Sequence, residues 1–167
     1  MSSSTTDPLF LTAAVITVSD SCARGERKDL SGPAVAAVLE KLHFSIEVRE
    51  VVPDDSMKIQ NLLIRIAREV RLIVTTGGTG IAARDFTPEA TVAVCERLLP
   101  GVAERMRSEG TKKTPLAALS RAVCGVRGNT LILNLPGSPA GAVESLEAVG
   151  ELIPHAIELL SGRTDHR

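Results

Sequence analysis

The segment LIVTTGGTG, residues 72–80, joins an apolar strand to a turn that is rich in glycine and threonine. Arg84-Asp85 and Thr87-Pro88-Glu89 follow it, so an acid and a helix start lie directly after the turn. Glycine adopts positive φ without a Cβ penalty, which lets successive N–H groups turn toward one anion. The segment therefore predicts a phosphate or nucleotide site at the end of a parallel strand. A glycine-rich turn used for geometry alone is the alternative.

The composition favours a globular α/β protein. A chain of 167 residues has the length of one domain and buries about 70% of its unfolded surface without disulfides. The chain is 44% hydrophobic but only 2% aromatic, so Ala, Val, Ile and Leu must form the core, as in parallel sheets covered by helices. A net charge of −1 and the scarcity of aromatic residues argue against nucleic acid as a partner.

The cysteines and the first residues bear on the cellular compartment. Cys22, Cys95 and Cys124 are widely spaced and odd in number, which argues against a disulfide framework or a zinc site. Cys95 and Cys124 are predicted core residues, whereas Cys22 lies in a polar loop. Residues 1–10 lack a signal sequence and are predicted to be a disordered tail before a single domain at 11–163. No apolar run approaches the ~18 residues of a membrane span, so we expect a cytoplasmic protein with no membrane partner.

Apolar periodicity predicts strands and helices in alternation. Strands are predicted at residues 9–18, 45–52 and 72–76, and the segments 122–126 and 130–134 predict a hairpin or two neighbouring strands. Helices are predicted after the N-caps Ser31 and Thr87, after Pro53-Asp54-Asp55, at 101–109, and through Val143–Val149 and Ile153–Leu160, with a short helical turn at 115–120. This order predicts a three-layer α/β sandwich with a mainly parallel sheet flanked by helices.

Four predicted strands end in polar or glycine-rich turns. These turns are Ser19-Asp20, Pro53-Asp54, Gly77–Asp85 and Pro136–Ser138. Because ligands of parallel sheets bind beyond the carboxyl ends of the strands, we expect the turns to meet at one rim. Neither GxxxxGK[ST] nor GxGxxG occurs, which disfavours a P-loop ATPase and a dehydrogenase. No histidine neighbours a motif, so histidine-based catalysis is not expected.

Carboxylates near these turns indicate a cation site. Mg²⁺ is typically held by one or two carboxylates together with water and substrate phosphates. Asp54 and Asp85 both follow strand ends, and Asp20 and Asp55 are further candidates. Structural alternatives remain open for each acid, because Asp54 or Asp55 could cap a helix and Asp85 could brace its turn. Asp20 and Asp29 could pair with Arg24, Arg27 or Lys28.

Basic residues suited to phosphate chemistry also occur. Phosphoryl and nucleotidyl transfer depend mainly on positioning and on charge neutralisation, so few covalent actors are needed. Arg84, Arg127, Lys112 and Lys113 are available for this purpose.

Several motifs occur in a defined order along the chain. They are Thr17-Val-Ser-Asp20, Val52-Pro-Asp54, Thr75-Thr-Gly-Gly-Thr-Gly80 with Arg84-Asp85-Phe-Thr-Pro-Glu-Ala-Thr91, Leu119-Ser-Arg121, Gly125-Val-Arg-Gly128 and Leu133-Asn-Leu-Pro-Gly137. Together they resemble the molybdopterin adenylyltransferase family, which includes bacterial stand-alone enzymes and the G domains of gephyrin and its plant counterpart. The resemblance covers roughly residues 11–161.

The resemblance implies an α/β homotrimer that adenylylates molybdopterin with Mg²⁺ and ATP and releases pyrophosphate, which prepares the pterin dithiolene for molybdate insertion. On this reading the terminal phosphate of the pterin attacks the α-phosphate of ATP. Asp54 and Asp85 would be the catalytic residues and would hold Mg²⁺. The nucleotide- and pterin-binding residues would be Ser19, Asp20, Thr76, Gly77, Gly78, Thr79, Gly80, Arg84, Pro136, Gly137 and Ser138. The downstream molybdate insertase is a candidate partner. The alternative is a non-catalytic molybdopterin-binding paralogue or scaffold module.

The chain departs from the family pattern at a few positions. Ile81-Ala82-Ala83 stands where many members have an aromatic residue and a proline, and Phe86 replaces a more usual Val. Asn129 stands where some members have Ser. These changes leave the acids intact and bear on details of pterin contact.

Overall fold

The computed structural model describes residues 11–162, which form a six-stranded sheet between two layers of helices. The strands are β1 Thr12–Val18, β2 Ser45–Val52, β3 Leu72–Thr76, β4 Arg97–Leu98, β5 Cys124–Arg127 and β6 Thr130–Leu135. The helices are α1 Asp20–Ala23, α2 Ser31–Lys41, α3 Ser56–Ile66, α4 Thr87–Val94, α5 Pro100–Thr111, α6 Pro139–Val149 and α7 Leu152–Leu160, with a 3₁₀ helix at Pro115–Leu119. The predicted tail at 1–10 and residue 163 lie outside the described residues.

The sheet has the strand order β2-β1-β3-β6-β5-β4. β2, β1, β3 and β6 are mutually parallel, whereas β5 and β4 extend the sheet in antiparallel pairs. Of the two alternatives for the segments near residue 128, the hairpin is correct, because β5 pairs directly with β6. The predicted three-layer architecture with a mainly parallel sheet is confirmed. None of the described helices is both long and apolar enough to cross a bilayer.

Two apolar cores lie on opposite faces of the sheet, because alternate residues of each strand point to opposite sides. Val15 packs with Leu146 beneath α2, α5, α6 and α7, and Ile16 packs with Leu63 beneath α3 and α4. All seven residues of β1 are buried. Burial on both faces explains why β1, β3 and β6 are mainly apolar runs, whereas the edge strand β2 alternates between exposed and half-buried residues.

Two predicted helix caps are wrong. Ser31 is already the first residue of α2, and the acceptor for the Gly32 N–H is Asp29 Oδ1 at 2.9 Å. Phe86 occupies the N-cap position of α4, and the Thr87 hydroxyl donates to the Gly77 carbonyl at 2.9 Å instead of accepting from its own helix. At α2 a different local residue, Asp29, thus caps the helix, whereas at α4 the Thr87 hydroxyl makes a contact with the glycine loop instead of a cap.

Several boundaries also differ from the predictions. β1 begins at Thr12 rather than at residue 9, since Leu11 lies in a turn. The sequence pattern did not predict α1 or β4, which have four and two residues, too few for a recognisable period. β4 lies between the end of α4 and the start of α5 at Pro100.

Cys124 is buried in the core, as predicted, and Cys95 is partly buried and packs against the core. Burial raises the pKa of Cys95 to about 11 and the pKa of Cys124 to about 12. Since the thiolate is the reactive form, both thiols should resist alkylation at pH 8. We therefore expect iodoacetamide to label the native protein only at the partly exposed Cys22 and the denatured protein at all three cysteines. Peptide mass spectrometry of the alkylated protein measures this; native labelling of Cys124 at the rate of Cys22 would contradict it.

Asn134 is a fully buried polar residue that joins three elements. Its Nδ2 donates to the hydroxyls of Thr75 and Thr91, each at 3.0 Å, and its Oδ1 accepts from the Val123 N–H at 3.2 Å. Replacing Asn134 with Leu leaves these buried groups without a partner, so we expect the free energy of unfolding to fall by about 3 kcal/mol. Urea denaturation measures the change. The control, Asn61→Leu on the exposed side of α3, should stay within about 0.5 kcal/mol of wild type.

Candidate active site

Register aligns the carboxyl ends of the four parallel strands. Thr17 of β1 pairs with Thr76 of β3, and Thr76 pairs with Leu135 of β6. β2 ends beside β1, where Val18 pairs with Val52. The turns that follow these strands therefore open at one rim, as expected for ligand binding at a parallel sheet.

A cleft of about 360 Å³ lies at this rim. Most of the predicted site residues line it, namely Ser19, Asp54, Thr76, Gly77, Gly78, Asp85, Gly137 and Ser138. Other predicted site residues lie outside its lining, namely Asp20, Thr79, Gly80, Arg84 and Pro136. The sequence interpretation did not assign to the site several residues that do line the cleft: Thr17, Cys22, Arg27, Lys28, Asp29, Ser31 and Pro139.

In the glycine loop, residues 77–80, all four carbonyl oxygens accept hydrogen bonds from other parts of the protein. The Thr87 hydroxyl and N–H donate to the carbonyls of Gly77 and Gly78 at 2.9 and 3.1 Å. Arg121 donates from its N–H to the Thr79 carbonyl at 2.8 Å and from Nε to the Gly80 carbonyl at 2.7 Å. Within residues 11–162, the N–H groups of residues 78–80 have no protein acceptor. A loop with occupied carbonyls and unpaired N–H groups suits an anionic ligand.

Arg121 is a structural residue of the site that residue-level reasoning missed. Besides the two loop carbonyls, its Nη2 donates to the Asp85 carbonyl at 2.8 Å, and its guanidinium pairs with Glu89 of α4. Only the family motif Leu119-Ser-Arg121 pointed to it, since an isolated arginine after a short helical turn carries no pattern of its own. It connects the glycine loop to the start of α4.

Asp54 and Asp20 connect the ends of β2 and β1 by reciprocal hydrogen bonds. The Asp20 N–H donates to Asp54 Oδ2 at 2.9 Å, and the Asp54 N–H donates to Asp20 Oδ1 at 3.0 Å. Asp55, not Asp54, caps α3, because Asp55 Oδ1 accepts from the Lys58 N–H at 3.0 Å. The helix-cap alternative for Asp54 is therefore wrong, and Asp54 Oδ1 lies over the glycine loop, 3.2 Å from where a Cβ on Gly78 would be.

Burial raises the pKa of Asp54 above its ordinary value, and repulsion from the carboxylates of Asp20 and Asp85 adds to the effect. Asp20 has the opposite shift, because its hydrogen bond from the Arg84 guanidinium lowers its pKa. The Arg84–Asp20 ion pair is 2.7 Å long, and Arg84 also donates to the Asp54 carbonyl at 3.1 Å. Asp20 thus pairs with Arg84 and not with the bases of its own loop.

Asp85 lies beside the glycine loop and serves two purposes. Its Oδ2 accepts from the Ala82 N–H at 3.0 Å. Asp85 therefore braces its own turn, which was the structural role that the sequence left open for it. The same residue lines the cleft, and its Oδ1 has no protein partner within residues 11–162. Bracing and ligand contact are therefore compatible.

Two oxygen donors at the rim fit a divalent cation. No group of three or more His, Cys, Asp or Glu residues in the described part of the chain could hold a metal alone. Asp54 and Asp85 repel each other enough to affect the pKa of Asp54, so a cation between them would relieve that repulsion. Two carboxylates completed by substrate oxygens are the usual arrangement for Mg²⁺.

The facing side of the cleft contains the starts of α2 and α6. Ser138 caps α6 by accepting from the Gly141 N–H at 3.1 Å, and Asp29 accepts from the Gly32 N–H of α2. The Ser31 hydroxyl is hydrogen-bonded to the hydroxyl of Thr76. Helix N-termini carry partial positive charge, so both helices favour an anion in the cleft.

Of the four basic residues named as available for phosphate chemistry, three make interactions elsewhere in the protein. Arg127 donates to the Val94 carbonyl, Lys112 pairs with Glu109, and Lys113 pairs with Glu144. These interactions lie away from the cleft, and none of the three side chains lines it. The fourth, Arg84, pairs with Asp20 at the rim.

The departures from the family pattern lie at different distances from the cleft. Asn129 is in the β5–β6 turn, at the edge of the sheet opposite the rim, because β6 runs from Thr130 toward the cleft. Ile81 is 72% exposed, and Phe86 is half-buried at the start of α4. None of these side chains lines the cleft.

Comparison with known proteins identifies the fold. A family model described as a probable molybdopterin binding domain matches residues 14–155. The molybdopterin adenylyltransferase of Helicobacter pylori J99 is 45% identical over 152 residues, which are 89% of this chain and 86% of that protein. The molybdenum cofactor synthesis protein cinnamon of Drosophila melanogaster is 43% identical over 153 residues, 90% of this chain but 26% of that protein.

A solved structure agrees in three dimensions. The molybdopterin biosynthesis enzyme MoaB of Thermus thermophilus superposes with a TM-score of 0.86 at 51% identity, covering 91% of this chain and 97% of that one. The region matched by the family model includes the glycine loop and both rim acids. The chain therefore belongs to the molybdopterin-binding domain family.

Proposed function

We propose that the protein transfers the adenylyl group of ATP to molybdopterin, giving adenylyl-molybdopterin and pyrophosphate in molybdenum cofactor biosynthesis. The observation that carries this proposal is the convergence of Asp54, Asp85 and the glycine loop on one rim cleft. The named activity of the Helicobacter pylori relative, which this chain matches over most of both lengths, supports it.

The reaction needs no nucleophile from the protein. An oxygen of the terminal pterin phosphate attacks the α-phosphorus of ATP, a new P–O bond forms, and the bond to the β-phosphate breaks as pyrophosphate leaves. Gly78, whose N–H has no protein acceptor within residues 11–162, lines the cleft and donates to a phosphate oxygen, and Ser19, Gly137 and Ser138 border the bound substrates. Positioning of this kind and electrostatic stabilisation account for most of the catalysis in phosphoryl transfer.

We propose that Asp54 and Asp85 hold Mg²⁺ with substrate phosphates. When bound, this ion neutralises phosphate charge and so lowers the repulsion between two anionic reactants. Arg84 keeps Asp20 paired, which leaves Asp54 and Asp85 as the acids that face the loop.

The resemblance also supports a homotrimer in the cytoplasm, with the downstream molybdate insertase as partner. Exposed apolar side chains such as Leu116 and Leu119 offer surface for contacts between copies. Light scattering of the purified protein measures the mass; a monomer at micromolar concentration would contradict the trimer.

The test is to incubate the protein with molybdopterin, ATP and Mg²⁺ and to analyse the products. We expect adenylyl-molybdopterin and pyrophosphate in equal amounts, and their absence when Mg²⁺ is chelated. Molybdopterin binding without any product would instead support the non-catalytic binding module.

A further inference from the structure

Arg27 and Lys28, here called the basic pair, lie in the segment between α1 and α2 and line the cleft. Both side chains are exposed, and neither makes an ion pair or a side-chain hydrogen bond with any other residue in 11–162. The other nearby arginines differ in this respect. Arg84 is paired with Asp20, and Arg24 is paired with Glu26 at 2.9 Å.

Asp29 holds the basic pair close to the rim. Its Oδ2 accepts from the Thr17 hydroxyl at 2.7 Å, and its Oδ1 accepts from the Gly32 N–H at 2.9 Å. One side chain thus connects the segment to the end of β1 and to the first turn of α2. The fit is close, since a Cβ on Gly32 would be 2.3 Å from Asp29 Oδ2. The two cations next to Asp29 are therefore positioned at the cleft rather than on a free loop.

Three acids line the cleft together with the basic pair; Asp29 adjoins the pair, whereas Asp54 and Asp85 lie apart from it. Asp54 and Asp85 precede α3 and α4, which cover one face of the sheet, whereas the basic pair precedes α2 on the other face. Two phosphate-bearing substrates must enter a cleft that already contains these acids, and like charges repel in such a site. Among the described residues that line the cleft, Arg27 and Lys28 are the basic ones, and neither is paired with an acid.

We propose that Arg27 and Lys28 bind phosphate oxygens of the substrates on the wall opposite the two acids. This inference rests on the proposed function, because it assigns the basic pair to the same site. The phosphate can belong to ATP or to molybdopterin. Removing the basic pair should raise KM for ATP in the first case and KM for molybdopterin in the second. Asp29 acts as the positioning residue for the pair.

The variants Arg27→Gln, Lys28→Gln and the double variant test this proposal by steady-state kinetics. We expect each single variant to raise KM for one substrate roughly three- to tenfold, with a larger rise in the double variant and little change in kcat. A rise for ATP assigns the pair to the nucleotide, and a rise for molybdopterin assigns it to the pterin phosphate. The charge-retaining variant Arg27→Lys with Lys28→Arg should restore most of the affinity.

Arg24→Gln is the matched control, because it removes one positive charge from the same segment at a side chain that does not line the cleft. It should keep the wild-type KM values. If the double variant matches Arg24→Gln in both KM values, the proposal is overturned.

If wild type forms no product, the proposed function fails, and calorimetric titration with pyrophosphate then tests the basic pair. Weaker pyrophosphate binding by the double variant than by Arg24→Gln supports the pair, and equal binding overturns it.

Discussion

Changing Asp54 to Asn is expected to lower kcat for adenylyl transfer by about 10²–10³-fold while the protein stays folded. The amide keeps an oxygen that can accept from the Asp20 N–H, so the connection between β1 and β2 is retained. It removes the negative charge that lies over the glycine loop. Single-turnover assays with saturating ATP and molybdopterin measure the loss in the chemical step.

Stability should respond in the opposite sense to activity. The folded protein raises the pKa of Asp54, chiefly by burial, so the ionised carboxylate costs folding free energy above the raised pKa. That cost disappears as the pH falls through the raised pKa, and the Asn variant removes it at neutral pH. We therefore expect the variant to unfold at a urea concentration equal to or above that of wild type.

Asp55→Ala is the control for this prediction, since it changes the neighbouring acid. Loss of the α3 cap should lower the free energy of unfolding by about 1 kcal/mol and leave kcat close to wild type. The two variants thus separate catalysis from stability at adjacent positions. Wild-type turnover in Asp54→Asn would remove this residue from the reaction.

The sheet and its rim could be predicted because the signals are local. Apolar runs such as Leu72–Thr76 are buried on both faces, and each is followed by a polar or glycine-rich turn. The rule that parallel strands bind ligands at their carboxyl ends then places the turns together without any knowledge of strand order. The same rule could not place Asn129, whose position follows from the β5–β6 hairpin.

The hydrogen-bond partners at the rim could not be predicted, because they join residues far apart in the chain. Arg84 and Asp20 are separated by 64 positions, and Asp54 and Asp20 by 34. Local spacing suggested instead that Asp20 pairs with a base in its own loop. The choice between Asp54 and Asp55 as the α3 cap likewise depends on where β2 ends relative to β1.

Gly77→Ala is expected to lower the free energy of unfolding by about 3 kcal/mol or more and to abolish nucleotide binding. Gly77 has φ of +98°, where an L-residue is strained by roughly 1–2 kcal/mol. Its Cβ would also be 2.3 Å from the Val18 carbonyl oxygen. That atom belongs to the backbone of a central strand, so it cannot move aside as a flexible side chain would. The loop must shift instead, which displaces the N–H groups of residues 78–80.

Gly128→Ala separates backbone strain from this overlap. Gly128 also has positive φ, at +57°, but a Cβ there would meet nothing within 4 Å, and the residue lies in the β5–β6 turn away from the cleft. Strain alone should cost about 1 kcal/mol and leave ATP affinity unchanged. Urea denaturation and calorimetric ATP titration of both variants measure the difference. If both variants lose the same stability and Gly77→Ala still binds ATP, the glycine loop accommodates a methyl group. Close approach of the Val18 backbone would then not explain the glycine at position 77.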